Sequence, residues 1–526
     1  MFRALLFLSP LAFGALALFL GQDGSWDLRN YHFYNPWAFL HGRMDVDVAP
    51  AHNATFYNPL LHLPFYFAVT HLPPRAVAFA LGAVQGMNLW LIYGIARRLL
   101  PESARWTALL LAAVGTLGAG NLAELGTSFG DNVVSLPVLG ALLLVLGVID
   151  RADAAQTAPI GRSPLVPRAS YLSAAGLLAG IAAGLKLPAA VFAVGVCAGF
   201  LVLPWPWRER LRAAFAFGVG VFIGVALADG FWLWEMWRRF GNPLFPYFND
   251  VFHSPWALPA SYRDPRFLPV GWLEWLAFPL VLLFDPKQGG EVAFLDLRLL
   301  LLYLAVLSLL FTRFQRRRIT MDTAGRYLLV AGVTSYLLWL QMFAIHRYAL
   351  VFEMLAPLGV FLALRVLFPN ERRRSTVAAA ALALMLLVMR PADWDRVAFG
   401  DDYFGVAVPA LAHPDRTLVL MADHDATAYL IPFFPATVRF LRMDGYFTGP
   451  TEAPHRYDRL LAETIRQHDG DLYLLVRSWE RDGAGRALAL HQLAADWPGC
   501  ANLKPHVDEA SGGELLFCGV RRVPSQ

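Results

Sequence analysis

The sequence predicts a polytopic α-helical membrane protein of about eleven transmembrane helices, followed by a small soluble α/β domain. Three observations predict it. Apolar residues make up 57% of the chain and charged residues only 16%, against about 25% charged in an ordinary soluble domain. The apolar excess lies in blocks before residue 390, while the remainder has soluble composition. Finally, arginines collect in every second connection between the blocks.

A spanning helix needs about 17–25 mostly apolar residues. Eleven segments qualify or come close: Ala4–Leu20, Ala76–Ala96, Trp106–Leu122, Val133–Ile149, Tyr171–Leu185, Pro188–Leu203, Ala213–Ala228, Leu297–Phe311, Tyr327–Ile345, Tyr348–Phe368 and Ser375–Met389. Met1–Leu20 is read as a first transmembrane helix rather than a cleaved signal, because many apolar segments follow it.

Arginine clusters mark the cytoplasmic side. With Arg3 inside, they fall at Arg97, Arg98 and Arg105; Arg151, Arg162 and Arg168; Arg208, Arg210 and Arg212; Arg313, Arg316, Arg317, Arg318 and Arg326; and Arg372, Arg373 and Arg374. Short opposite connections hold Lys186, or His346 with Arg347. Residues 21–75 and 229–296 become long outward loops. Leu268–Phe284, interrupted by Glu274 and Pro279, reads as interfacial or re-entrant. Ala152–Pro167 reads as a polar cytoplasmic loop. An odd number of crossings puts residues 391–526 outside. There, Thr417–Met421 and Leu472–Val476 are expected strands, and Tyr457–His468 and Gly485–Leu493 expected helices. Cys500 and Cys518 flank a polar stretch ending in an expected terminal strand, and a disulfide between them is expected in an oxidising compartment.

A net charge of +4 is too small to point to nucleic acid. Chemistry is expected on the outward side. In a helix over Trp26–Asn35, Asp27, Tyr31 and Tyr34 would share one face, and a carboxylate beside phenols suits a general base. Asp23, four residues nearer the first helix, is expected to matter less. His32 adds a polar group to the same loop. Lys186, in a Gly-Leu-Lys-Leu-Pro turn, and the His346-Arg347 pair are cations at membrane depth, where charge is costly and often functional. Together they suit a phosphate. Glu353 lies beyond Arg347, and Asp131 adds a carboxylate to the same side. Asp45-Val-Asp47 reads as a solvated loop rather than a metal site, and no metal or other cofactor is expected. Gly241–Asn249 reads as a rigid loop of turn formers and aromatics.

These features together resemble the GT-C superfamily of integral-membrane glycosyltransferases over residues 1–390. The resemblance rests on the acid after the first apolar segment (Trp26-Asp27-Leu-Arg-Asn-Tyr31-His32), the Gly-Leu-Lys186 turn, the Gly-Asn-Pro-Leu-Phe-Pro-Tyr-Phe-Asn loop and the Arg347-Tyr348 pair. It implies transfer of a sugar from a polyprenyl-phosphate carrier to a glycan, lipid or protein acceptor at the outer face of a bacterial cell membrane. Asp27 is then the catalytic acid position. Tyr31, His32, Lys186, His346, Arg347, Asp131 and Glu353 are expected around the substrates. Many members carry two adjacent acids at this point, whereas here Leu28 follows Asp27. A transporter or flippase for a lipid-linked substrate, or a non-catalytic envelope-assembly subunit, is the alternative.

Overall fold

The computed structural model describes residues 2–156, 165–315, 321–450 and 454–524. Arg162 and Arg316–Arg318 lie outside the described residues, as does most of the Ala152–Pro167 connection. The chain is mostly helical up to residue 387 and ends in a small α/β domain.

Each of the eleven apolar segments is helical. Among the described residues, four helical stretches are long and apolar enough to cross a membrane: Pro74–Leu99, Asp131–Asp153, Trp207–Ala228 and His346–Leu367. Others are shorter, including Leu6–Leu20, Ala169–Leu185 and Leu187–Val202. Close packing between them uses small residues. Gly176 and Gly180 lie against the Phe217 and Val221 carbonyls of the neighbouring helix, where an added Cβ would come within 2.0 and 2.2 Å of oxygen. This is the small-residue approach through which membrane helices pack.

The segment Trp106–Leu122 is not one helix. A helix runs Arg105–Thr116, and a separate short one Ala119–Ala123. The buried Arg298 explains the break. Its guanidinium donates to the carbonyls of Val114 and Leu117, while Asp296 pairs with it at 2.5 Å and accepts from Ala119 N at 2.8 Å. A helix end whose carbonyls would otherwise be orphaned is thus capped inside the protein.

The C-terminal domain is a mixed sheet with strand order β2-β1-β3-β6-β4 and β5 paired to β6. The strands are β1 Thr417–Ala422, β2 Arg439–Asp444, β3 Asp471–Arg477, β4 Leu493–Ala495, β5 Ala501–Leu503 and β6 Leu515–Arg522. The first three are parallel, with Arg456–Gln467 as the helix crossing from β2 to β3. All six β1 residues are buried, as a strand covered on both faces requires. Both expected strands are present. The Cys500–Cys518 disulfide is also present, closing β6 onto the turn before β5.

This domain is sewn to the first long loop. Gln22 and Val397 exchange backbone hydrogen bonds at 2.9 and 3.0 Å, and Val48 bridges the outer edge of β2. In open α/β sheets the crevice beyond the carboxyl ends of parallel strands usually receives a ligand. Here it receives Arg29. This side chain, 2% exposed, pairs with Asp508 at 2.6 Å, lies 3.8 Å from Asp425 and 3.4 Å from Asp395. Arg477, from the end of β3, holds Asp425 and Asp508 from the other side. Burial pushes the Asp508 carboxyl up, but the two guanidiniums outweigh it and leave it below the usual carboxylate range.

Removing one partner from a buried ion pair strands the other charge. Arg29→Met is therefore expected to destabilise the docked domain by on the order of 3 kcal/mol. Limited proteolysis should cut between residues 390 and 417 far faster than in the wild type. Unchanged cleavage would show that the backbone bridges alone hold the domain.

Candidate functional site

The residues around Asp27 are brought together by a single wide turn. Asp27 immediately precedes a π-helical turn over Leu28–His32, all of whose residues are buried. A π turn carries an extra residue per turn, so its side chains spread further around the axis than in an α-helix. Asp27 and Tyr31 remain on one side, the Tyr31 hydroxyl 3.4 Å from Asp27 Oδ2. Tyr34 does not join them. Its hydroxyl donates instead to Asp47 at 3.0 Å. Asp47 itself is not solvated: it is buried, gripped by Arg43 at 2.6 and 2.9 Å, and accepts from Phe440 N. Only Asp45 of that Asp-Val-Asp motif is exposed, and it pairs with Arg239.

Arg347 reaches Asp27 from the opposite wall. It sits in the turn His346–Ala349, just before the helix Leu350–Leu367. Its Nη1 donates to Asp27 Oδ2 at 2.6 Å and its Nη2 to Glu291 at 3.3 Å. Its Nε is buried and has no partner among the described residues. Lys186 pairs with Asp131 at 2.5 Å. The Tyr348 ring lies between the two cations, 5.3 Å from Lys186 Nζ and 5.2 Å from the Arg347 guanidinium carbon. Both cations and Asp131 line one narrow cleft of about 20 Å³, floored by Val351 and Phe192. That volume is about one water molecule.

His32 turns away from Asp27 and points into a hydrogen-bonded chain. Ser128 Oγ lies 2.6 Å from Asp23 Oδ2 and 2.7 Å from His32 Nδ1. One hydroxyl proton serves the carboxylate, so His32 donates from Nδ1 and keeps a lone pair on Nε2. That nitrogen is buried without a partner. His62 stacks on His32 at 3.9 Å between ring centroids and hydrogen-bonds the Ser128 backbone. Burial, then Lys186, pushes His62 down to about 3. Burial, His62 and the two nearby cations hold His32 well below its ordinary value too. Both rings are neutral at neutral pH.

Asp23 is more deeply engaged than its position in the chain indicated. It is 1% exposed and accepts from Ser25 N, Ser128 N and Ser128 Oγ. His346 and Glu353 form a separate, supporting pair. Glu353 accepts from Gly120 N and Asn121 N, each at 3.0 Å, with His346 Nε2 3.3 Å away. A Cβ on Gly118 would lie 1.9 Å from Glu353 Oε1, so this approach needs glycine there. Glu353 therefore shapes the 119–123 turn rather than lining the cleft.

The structure thus joins Asp27, Tyr31 and Arg347 into one cluster and Lys186 with Asp131 into a second beside it. Ser128 and Glu291 were not singled out in the sequence, and Asp23, expected to matter less than Asp27, proves to be buried and fully engaged. Glu124 is 1% exposed with both carboxylate oxygens unpartnered; burial, then Asp131, pushes its pKa well up. Among the described residues, no group of three or more His, Cys, Asp and Glu side chains could hold a metal ion. No family model matches this chain, and no curated protein or solved structure matches it either.

The histidine pair makes a pH prediction. His62 binds a proton in the unfolded chain near the ordinary value of 6.5, but in the folded protein only near 3. The unfolded state therefore binds more protons between those limits, and stability falls as pH drops from about 6.5 towards 3. His62→Phe keeps the stacking and removes the titration. Unfolding measured from pH 7 to 4 should show a shallower loss for this variant than for the wild type. Equal slopes would mean that His62 titrates normally.

Proposed function

We propose that the chain is an integral-membrane glycosyltransferase of the GT-C kind, moving a sugar from a polyprenyl-phosphate donor to a glycan, lipid or protein acceptor on the outer face of a bacterial cell membrane. The observation that carries this reading is Arg347. One guanidinium holds the carboxylate best placed to act as base, and also presents a buried, unused Nε–H beside a second cation. A phosphate oxygen satisfies such a donor, and Arg binds phosphate bidentately.

In the proposed reaction the donor phosphate enters between Lys186 and Arg347. The cleft is too small for it while Lys186 holds Asp131 and Arg347 holds Asp27, so both pairs exchange partners. Arg347 turns to the phosphate and Asp27 is released. Asp27 then takes the proton of the acceptor hydroxyl, and the acceptor oxygen attacks the anomeric carbon. The bond from that carbon to the phosphate oxygen breaks with inversion. Its electron pair leaves on the phosphate, where the two cations neutralise it. Tyr31 orients Asp27.

Eleven crossings, with the N-terminus inside, place the site and residues 391–526 together on the outer side. The disulfide supports this placement, since such bonds persist in oxidising compartments. A reporter active only in the cytoplasm should be silent when fused after Gln526, and a strong signal there would refute the topology.

Asp27→Asn preserves shape and removes the base. Turnover in liposomes, read as free polyprenyl phosphate released from a polyprenyl-phosphate hexose, should fall about 10²–10⁴-fold. Donor affinity should be kept or tightened, because Arg347 loses its competing carboxylate. Arg347→Lys should instead weaken donor binding by on the order of tenfold. A transporter would release no free carrier phosphate at all. Near-normal release by well-folded Asp27→Asn would remove Asp27 from catalysis.

A further inference from the structure

A second cavity, of about 240 Å³, lies between the short helix Tyr34–Leu40 and the helix Gly230–Phe240. Nothing in the proposed reaction uses it. Phe39, Phe231 and Trp232 line it, together with Asn35 and Thr55.

The polar atoms there are specific. Asn35 is 5% exposed. Its Nδ2 donates to the Ala54 carbonyl at 2.8 Å and the Tyr57 carbonyl at 3.3 Å, which fixes the amide orientation. Its Oδ1 is buried and has no partner among the described residues. Thr55 Oγ1 accepts from Ala51 N at 2.9 Å, and its own proton has no acceptor among the described residues. A buried carbonyl left without a donor is destabilising until a partner reaches it. A ligand carrying hydroxyl groups supplies both the donor and the acceptor that this pair lacks.

The charges around the cavity are already matched. Arg239 pairs with Glu235 and with Asp45. Asp47 is held by Arg43, by Tyr34 and by Phe440 N. A charged ligand would find no free countercharge, so the cavity favours a neutral one. Aromatic walls beside uncommitted hydrogen-bonding atoms suit the apolar face and polar edge of a sugar ring.

The surroundings say how that ring arrives. The helix Gly230–Phe240 follows directly on Trp207–Ala228, one of the four helices of membrane length. Leu40 and Trp234 are exposed on the two helices that flank the cavity, and Phe39 and Phe231 in its walls are also exposed. Exposed aromatics at the end of an apolar helix are the pattern of a membrane–water boundary.

We propose that this cavity binds the uncharged sugar head of a membrane glycolipid, with Asn35 Oδ1 accepting from one sugar hydroxyl and Thr55 donating to another. The site stands apart from Asp27, and binding there requires no transfer chemistry.

The test uses the full chain in phosphatidylcholine nanodiscs containing monoglucosyl-diacylglycerol or, in a parallel sample, diacylglycerol with the same acyl chains. Native mass spectrometry reads the lipid retained on the ejected protein. The glucosyl lipid should be retained at least about tenfold more than diacylglycerol, a difference of about 1.4 kcal/mol. Ala38→Trp fills the cavity and touches none of its hydrogen bonds, so it should abolish the preference. Phe231→Ala removes one partly exposed wall and should weaken it severalfold. If Ala38→Trp does not fold, Phe231→Ala alone decides. Equal retention of the two lipids by the wild type would overturn the proposal. So would a preference that survives in the folded variants. Asp27→Asn should retain the glycolipid like the wild type, which separates this outcome from failure of the enzyme reading.

Discussion

The arrangement depends on one buried ion pair, Arg29 with Asp508. Arg29 belongs to the π turn that carries Tyr31 and His32 and follows directly on Asp27, and its side chain enters the crevice of the C-terminal sheet. Its guanidinium fills the crevice at the ends of β1 and β3, where Arg477 completes the charge balance. Anchoring the turn at Arg29 sets the direction of its other side chains. Asp27 and Tyr31 face Arg347, and His32 faces Ser128. The soluble domain therefore acts on the cleft without contributing a residue to it. It holds rigid the loop that carries the carboxylate. A buried charge network gives that rigidity because breaking any one contact leaves another ion desolvated.

The same physics governs the cleft. Lys186 and Arg347 lie where charge is expensive, and each is matched to a carboxylate at 2.5–2.6 Å. Pairing reduces the cost of burial but also occupies the groups that a substrate would use. The small cleft volume is the geometric expression of that pairing. An anion entering between the two cations would have to displace both carboxylates. Neutral histidines behind Tyr31 fit this economy of charge. A protonated His32 or His62 would add a cation beside Lys186 and Arg347 with no carboxylate to match it, since Asp23 is already satisfied by Ser25 and Ser128.

Much of the fold was legible in the sequence because burial in an apolar medium leaves a coarse signal. Long runs of apolar residues read as helices whatever their packing, and all of the expected segments are helical. Where one failed, at Trp106–Leu122, the cause was a distant residue: Arg298 caps the helix at Thr116 from nearly two hundred positions away. The strands of the terminal domain were readable from their continuous apolar runs, and the cysteine pair from its place beside the last of them. The site was legible only in part. Asp27, Tyr31, Lys186 and Arg347 stood out as polar residues near apolar segments. Their partners did not, because the pairing of Arg347 with Glu291, and of His32 with Ser128, is a property of tertiary approach. The α-helical period also misassigned Tyr34. A single extra residue in the turn rotates everything after it, and nothing in the residue types announces a π turn.

The Arg347–Asp27 contact carries a consequence for order in the proposed reaction. A carboxylate whose Oδ2 accepts from a guanidinium at 2.6 Å has that oxygen occupied and is not free to receive an acceptor's proton. It becomes competent only when the guanidinium finds another anion. If the donor phosphate is that anion, donor binding and base activation are one event, and an acceptor arriving first meets an inactive carboxylate. Leu28 bears on this point. With no second carboxylate beside Asp27, nothing else in the turn can hold Arg347 while Asp27 acts, and Glu291 at 3.3 Å is its one remaining acidic partner. In the proposed reaction the donor phosphate would join Glu291 as countercharge to Arg347, so that recognition of the donor and control of the base would be a single electrostatic exchange.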